Sequence, residues 1–126
     1  MSSSTSQGKH RIAVQSGPKG YFGEVAVDVE REVNNGIVEI SFDPVHAPQW
    51  QTGTKFGIEY ILEHLSRRLF PDGGRIHVSR IEGHLVDTNN VVIAYVAALA
   101  LIDALRIELR KVPELDPEKG LVIFPK

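Results

Sequence analysis

With 126 residues, 42% apolar content and no cysteine, the chain suits one domain with its own core. The missing cysteine excludes a disulfide framework, a thiolate nucleophile and a cysteine–zinc cluster, and it fits a reducing compartment. A formal net charge of −2 argues against a protein that coats nucleic acid by bulk electrostatics.

Residues 1–8 are serine-rich, have little to bury, and are expected to form a disordered tail ahead of one domain over 9–126. This polar start lacks the apolar segment of a secretory signal. Arg11 to Val14 is a short strand candidate. The glycine-rich stretch QSGPKGYFG follows, and Gly17-Pro18-Lys19-Gly20 is turn chemistry. Gly23 suggests a bulge where the backbone is closely approached. Tyr21 and Phe22 straddle the pleat, so one ring is expected to face outward. Val25, Val27 and Val29 then alternate with Glu24, Ala26, Asp28 and Glu30, the period of a half-buried strand. Asn34-Asn35-Gly36 predicts a hairpin turn, with a return strand carrying Val38, Ile40 and Phe42.

Pro48 suits a first helical turn, and Ile58, Ile61, Leu62, Leu65 and Leu69 recur at helical spacing until Pro71-Asp72-Gly73-Gly74. Gly53 and Gly57 weaken the early turns of that helix. Ile76 and Val78 mark a further strand. Asp87, Thr88 and Asn89 are all suitable caps for a long helix from about Thr88 to Lys111, and Leu121 to Phe124 suits a last short strand. Within that helix the longest apolar run, Val91 to Ile102, falls short of the roughly 20 residues a membrane span needs. A cytoplasmic protein with no membrane partner is expected. The sum is an α+β domain, one sheet with two helices on one face and the other face partly wet.

The glycine stretch is a poor nucleotide cradle. Gly17, Gly20 and Gly23 precede a strand, whereas a dinucleotide fingerprint opens a helix, and the P-loop string is absent. No cofactor is expected. His10, His46, His64, His77 and His84 form no metal-binding motif, so no metal is expected either. Glu59 and Glu63 read as a solvated helix face, and no catalytic set emerges from spacing. A non-enzymatic protein is expected. Charge is uneven: residues 1–23 hold Lys9, Arg11 and Lys19 and no acid, while 64–81 hold Arg67, Arg68, Arg75 and Arg80 against Asp72.

QSGPKGYFGEVAVDVE resembles the start of domain IV of translation elongation factor G and its eukaryotic and archaeal counterpart, elongation factor two. Gln15, Gly17, Lys19, Gly20, Phe22 and Gly23 fall on that pattern, with Ser16 in a threonine slot and Pro18 where glycine is more usual. EGHLVDTNN resembles the segment leading into that domain's long helix, through His84, Val86, Asp87 and Thr88, and the closing KGLVIFP resembles its last strand. The resemblance implies a split β-α-β fold, shared with a small-subunit ribosomal protein domain: a four-stranded sheet, two helices on one face and a left-handed crossover. It also implies a stand-alone relative that contacts the ribosome or structured RNA through tip loops. Gln15, Ser16, Gly17, Pro18, Lys19, Gly20 and His84 would make those contacts, with Arg11, Arg75, His77 and Arg80 as auxiliary ones. The chain carries no GTPase motif, so a separate GTPase is one possible partner and self-association another. The alternative function is an interaction or oligomerisation module that keeps the fold without RNA binding. An enzyme on the same fold is the weakest reading.

Overall fold

The computed structural model describes residues 4–16, 19–31, 38–43, 48–69, 74–83, 88–106, 112–116 and 121–125. In chain order these form β1 (Ser4–Ser16), β2 (Lys19–Arg31), β3 (Val38–Phe42), a 3-10 turn (Pro48–Trp50), α1 (Gln51–Leu69), β4 (Gly74–Glu82), α2 (Asn90–Leu105), β5 (Glu114–Asp116) and β6 (Leu121–Ile123). The main sheet has the order β1-β2-β4-β3, with β1–β2 and β2–β4 antiparallel and β3–β4 parallel. Both helices pack on one face, giving the expected split β-α-β architecture.

Alternation sorts the strand residues onto two faces. Val25, Val27, Val29, Ile76, Val78 and Ile81 are buried beneath the helices together with Ile12. Ile58 and Ile61 of α1 and Ile93, Val96, Ala97 and Leu101 of α2 complete the core. The helices approach closely because small residues line their contact. A Cβ on Gly57 would lie 2.1 Å from the Ala94 carbonyl oxygen, and one on Gly53 would lie 2.4 Å from that of Asn90. The glycines that weaken α1 by propensity are therefore required by packing. Its first turn is also secured, since the Gly53 N–H donates to Asn90 Oδ1 at 2.9 Å and Thr54 Oγ1 donates to the Trp50 carbonyl at 2.9 Å.

Several elements differ from the sequence reading. β1 begins at Ser4, well before Arg11, because backbone pairing with β2 continues through polar residues that carry no hydrophobic pattern. The expected hairpin partnership between β2 and β3 is not formed. β4 lies between them and pairs with both, while residues 34–36 lie outside the described residues. β4 buries Ile76, Val78 and Ile81, which suits a central strand, whereas β3 keeps Val38, Ile40 and Phe42 only half-buried at an edge.

Gly23 is not a bulge, since β1–β2 register runs through it unbroken and the irregularity falls at Ala26/Val27. It serves close approach instead: a Cβ there would lie 3.2 Å from Ile93 Cδ1. Tyr21 and Phe22 are both buried. α2 stops at Leu105 rather than near Lys111, with Arg106 in the left-handed conformation at φ 54° and its N–H bonded to the carbonyls of Ile102 and Asp103. The last strand leaves the main sheet to pair with Glu114–Asp116.

Candidate functional site: one end and one face of the sheet

Ser16 and Lys19 are the last cross-strand pair at the hairpin end of β1 and β2. β4 joins β2 only from Glu24 onward. The hairpin end, from Lys19 to Gly23, thus runs about 16 Å beyond the sheet's third strand at ~3.3 Å per residue. The chain leaves β4 at Glu82, the partner of Glu24, and returns at Thr88, whose Oγ1 donates to the Phe22 carbonyl at 2.7 Å. The segment between therefore begins and ends against Phe22–Glu24 of the hairpin. Gly83 permits the exit, because a Cβ there would lie 2.8 Å from Thr88 Cγ2 and from Trp50 Nε1. α2 starts at this end too. Asn89 Oδ1 accepts from the Val92 N–H at 2.9 Å, and Gly23 packs against Ile93. Its N-terminal partial positive charge is directed here.

Of the expected contact residues, Gln15 and Gly20 are cross-strand partners near the hairpin end, and Ser16 and Lys19 are the last pair before the turn. Gly17, Pro18 and His84 lie outside the described residues. The auxiliary residues Arg11, Arg75, His77 and Arg80 all occupy the helix-free face, but they spread along it. Arg11 is opposite Glu24 and Arg80 opposite Ala26, whereas His77 is opposite Asp28 and Arg75 opposite Glu30, toward the far end.

Register makes this open face a patterned charge surface. In the half nearer the hairpin end, Lys9, Arg11 and Arg80 face Glu24 and Glu82; in the far half, Arg75 faces Asp28, Glu30 and Glu39. Three of the four cations thus lie in the near half, where Asp43 follows Glu39 and Ser41 at the same parity of β3, and the far half is net negative. Most of these cations are partly neutralised. Glu24, only 8% exposed, receives Lys9 Nζ at 3.6 Å and Arg80 Nε at 3.5 Å, while Arg80 also pairs with Glu82. Arg75 Nη2 lies 3.7 Å from Glu39 Oε2. His77 Nδ1 and Ser41 Oγ are 2.9 Å apart. Arg11 differs: its guanidinium lies over the Phe22 ring, 5.4 Å from the centre, and no ion pair to it occurs among the described residues.

Sequence patterning places Glu24 outward but gives no sign that it anchors two cations, because the partners come from strands fixed only by register. Asp103 is likewise missed. It projects from α2 to the β1 edge, where its Oδ2 accepts the Lys9 N–H at 3.1 Å. Beside it His10 stacks edge-on against Tyr95, with ring centres 6.1 Å apart. Burial pushes the His10 imidazole below its ordinary range, and the Asp103 carboxylate only partly opposes this. Burial, then the Glu114 carboxylate, raises the Tyr95 phenol. Two open clefts of about 420 and 490 Å³ flank Asp103, the first lined by His10, Leu99, Ile102 and Arg106. Among the described residues no group of three or more His, Asp or Glu could hold a metal ion, and no helix is long and apolar enough to cross a membrane.

No family model matches the chain, and no curated protein matches it. A crystal structure from Thermus thermophilus is similar in fold, with a TM-score of 0.61 and 23% sequence identity. The match covers 81% of this chain and 16% of that one, so the chain spans only a small part of that protein's length. The likeness is one of fold: a small α+β domain with a four-stranded sheet and two helices, consistent with a ribosomal-protein-like architecture.

Proposed function

We propose that this chain is a relative of elongation factor G domain IV and that it contacts ribosomal or other structured RNA through the β1–β2 hairpin end and the neighbouring segment that carries His84. The observation supporting this reading is that the hairpin end and the two residues flanking the His84 segment, Gly83 and Thr88, lie at the same end of the sheet, beside the part of its open face that carries Lys9, Arg11 and Arg80. The contact is to phosphates and shape. Glycines let backbone N–H groups approach closely, Lys19 adds a point charge, and the N-terminus of α2 favours anionic groups nearby. The far half of the open face carries excess acid and takes no part, which limits the footprint to one end. Chemistry on the RNA is not required of this surface; it acts as a probe.

Fluorescence anisotropy with a labelled structured RNA, alongside sedimentation with purified small ribosomal subunits, tests the reading. At low salt the protein binds, and the Lys19→Ala/His84→Ala variant loses affinity at least about tenfold with a shallower salt slope. Lys55→Glu, an exposed change on α1, leaves binding within about twofold. Absence of binding by the unmodified protein at low salt overturns the proposal.

A further inference from the structure

We propose that the outer edge of β1, from Arg11 toward the hairpin end, receives an extended protein segment that alternates acidic and apolar residues, adding a fifth strand to the sheet. β1 is a terminal strand of the main sheet and is 13 residues long, about twice the usual length. Long edges are normally blunted by bulges, proline or a covering element. The β1–β2 ladder has no register break from Ser4 to Ser16. α2 covers the edge at one place: a Cβ on Gly8 would lie 2.3 Å from the Ala100 carbonyl oxygen, and Asp103 takes the outward Lys9 N–H. Antiparallel ladders alternate inward and outward donors, so Arg11 and Ala13, of the same parity as Lys9, also direct their N–H groups away from β2.

The chemistry of the occupant follows from the two faces of this edge. On the open face an added strand runs beside Lys9 and Arg11, and Arg11 has no ion-pair partner among the described residues. On the helix side it runs beside Ile12, which is buried, and Val14, which is half-buried. Residues 1–23 contain no acid, so nothing on β1 itself opposes a carboxylate. A second copy of this chain is a poor occupant. Antiparallel registers centred on residues 9, 10 or 11 set Lys9 against Lys9, Lys9 against Arg11, or Arg11 against Arg11. An acidic–apolar strand avoids that repulsion and supplies the missing carboxylate.

Short labelled peptides of alternating glutamate and valine, alternating lysine and valine, and a shuffled glutamate–valine sequence serve as probes. The alternating glutamate peptide binds, at least about tenfold more tightly than the other two. Ala13→Pro removes an outward N–H without touching the β1–β2 ladder, and it abolishes peptide binding. Because it changes no charge, it leaves affinity for structured RNA within about twofold, which separates this inference from the RNA reading. Arg11→Glu, which needs no backbone change, transfers the preference to the lysine peptide. Equal binding of the two alternating peptides, or unaltered binding by Ala13→Pro, overturns the proposal. So does a concentration-dependent dimer that Ala13→Pro disperses, since the edge then belongs to a second copy.

Discussion

The two faces of the sheet are held by different physics. Beneath the helices, position is fixed by shape: glycines at 8, 23, 53 and 57 sit where another element's backbone or side chain comes within contact distance. On the open face, position is set by charge, with Glu24 between Lys9 and Arg80 and Glu39 beside Arg75. Close packing tolerates almost no added volume, whereas exposed ion pairs contribute little and rearrange freely. Apart from the buried Glu24, the open face can therefore vary its charges to suit a partner at little cost to the fold. The packed face cannot.

The most severe way to break that contrast is one methyl group on the packed face. Gly57→Ala places a Cβ 2.1 Å from the Ala94 carbonyl oxygen, and both groups belong to helical backbone that cannot swing aside. The higher helix propensity of alanine, worth about 1 kcal/mol, works in the opposite direction. The strain exceeds it, and we expect a net loss of about 3 kcal/mol in chemical denaturation. Gly8→Ala, with contacts at 2.3 Å to Ala100 and Ala104 of α2, behaves the same way. Arg75→Ala on the open face shifts stability by less than about 0.5 kcal/mol. A Gly57→Ala protein as stable as the parent would mean that the helices are not fixed by this contact.

Much of this division was legible in the sequence. The alternation of Val25, Val27 and Val29 with Glu24, Asp28 and Glu30 identified both faces of β2, and Asn89 was among the expected caps of α2. Local patterns failed where a non-local partner decided the outcome. Asn34-Asn35-Gly36 encodes a change of direction but cannot say that β4 will occupy the slot beside β2. The end of α2 at Leu105 was hidden because Arg106 occupies a left-handed position that glycine usually marks. At the hairpin end, turn chemistry agreed with the antiparallel pairing of β1 and β2 up to Ser16 and Lys19, but the bond from Thr88 to Phe22 depends on residues 66 apart in sequence. Lys9, Glu24 and Arg80 could be read singly as surface charges; only register makes them a cluster.

Thr88→Val probes where the packed face meets the candidate site, and its expected effect is the next largest. The hydroxyl is buried and donates to the Phe22 carbonyl, so removing it leaves a buried acceptor without that donor at nearly unchanged volume. The expected cost is about 2 kcal/mol. Faster amide exchange at Phe22 and its neighbours should accompany the loss, since this bond ties the return of the His84 segment to the hairpin. If RNA is held by the two segments jointly, affinity falls in Thr88→Val under conditions where the protein remains folded. Unchanged exchange and unchanged affinity together would show that the hairpin end holds its position without the bond.

The mildest test concerns His10, the imidazole that the packed face half-buries between β1 and α2. Burial against Tyr95 lowers its affinity for a proton in the folded state, and Asp103, the carboxylate facing it, only partly restores it; Arg106, which lines the same cleft, adds no help to the charged form. The unfolded chain accordingly takes up this proton first as pH falls through about 6.5. Stability conferred by the neutral ring is thus complete above that value and is lost as pH drops toward the lower folded-state value, below which the loss levels off. Urea midpoints measured across this range should decline on acidification, and His10→Phe, which preserves the edge-on contact with Tyr95, should remove that part of the decline. A steeper decline in His10→Phe than in the parent would mean that Asp103 outweighs burial, and that the ring is held by charge in the manner of the open face.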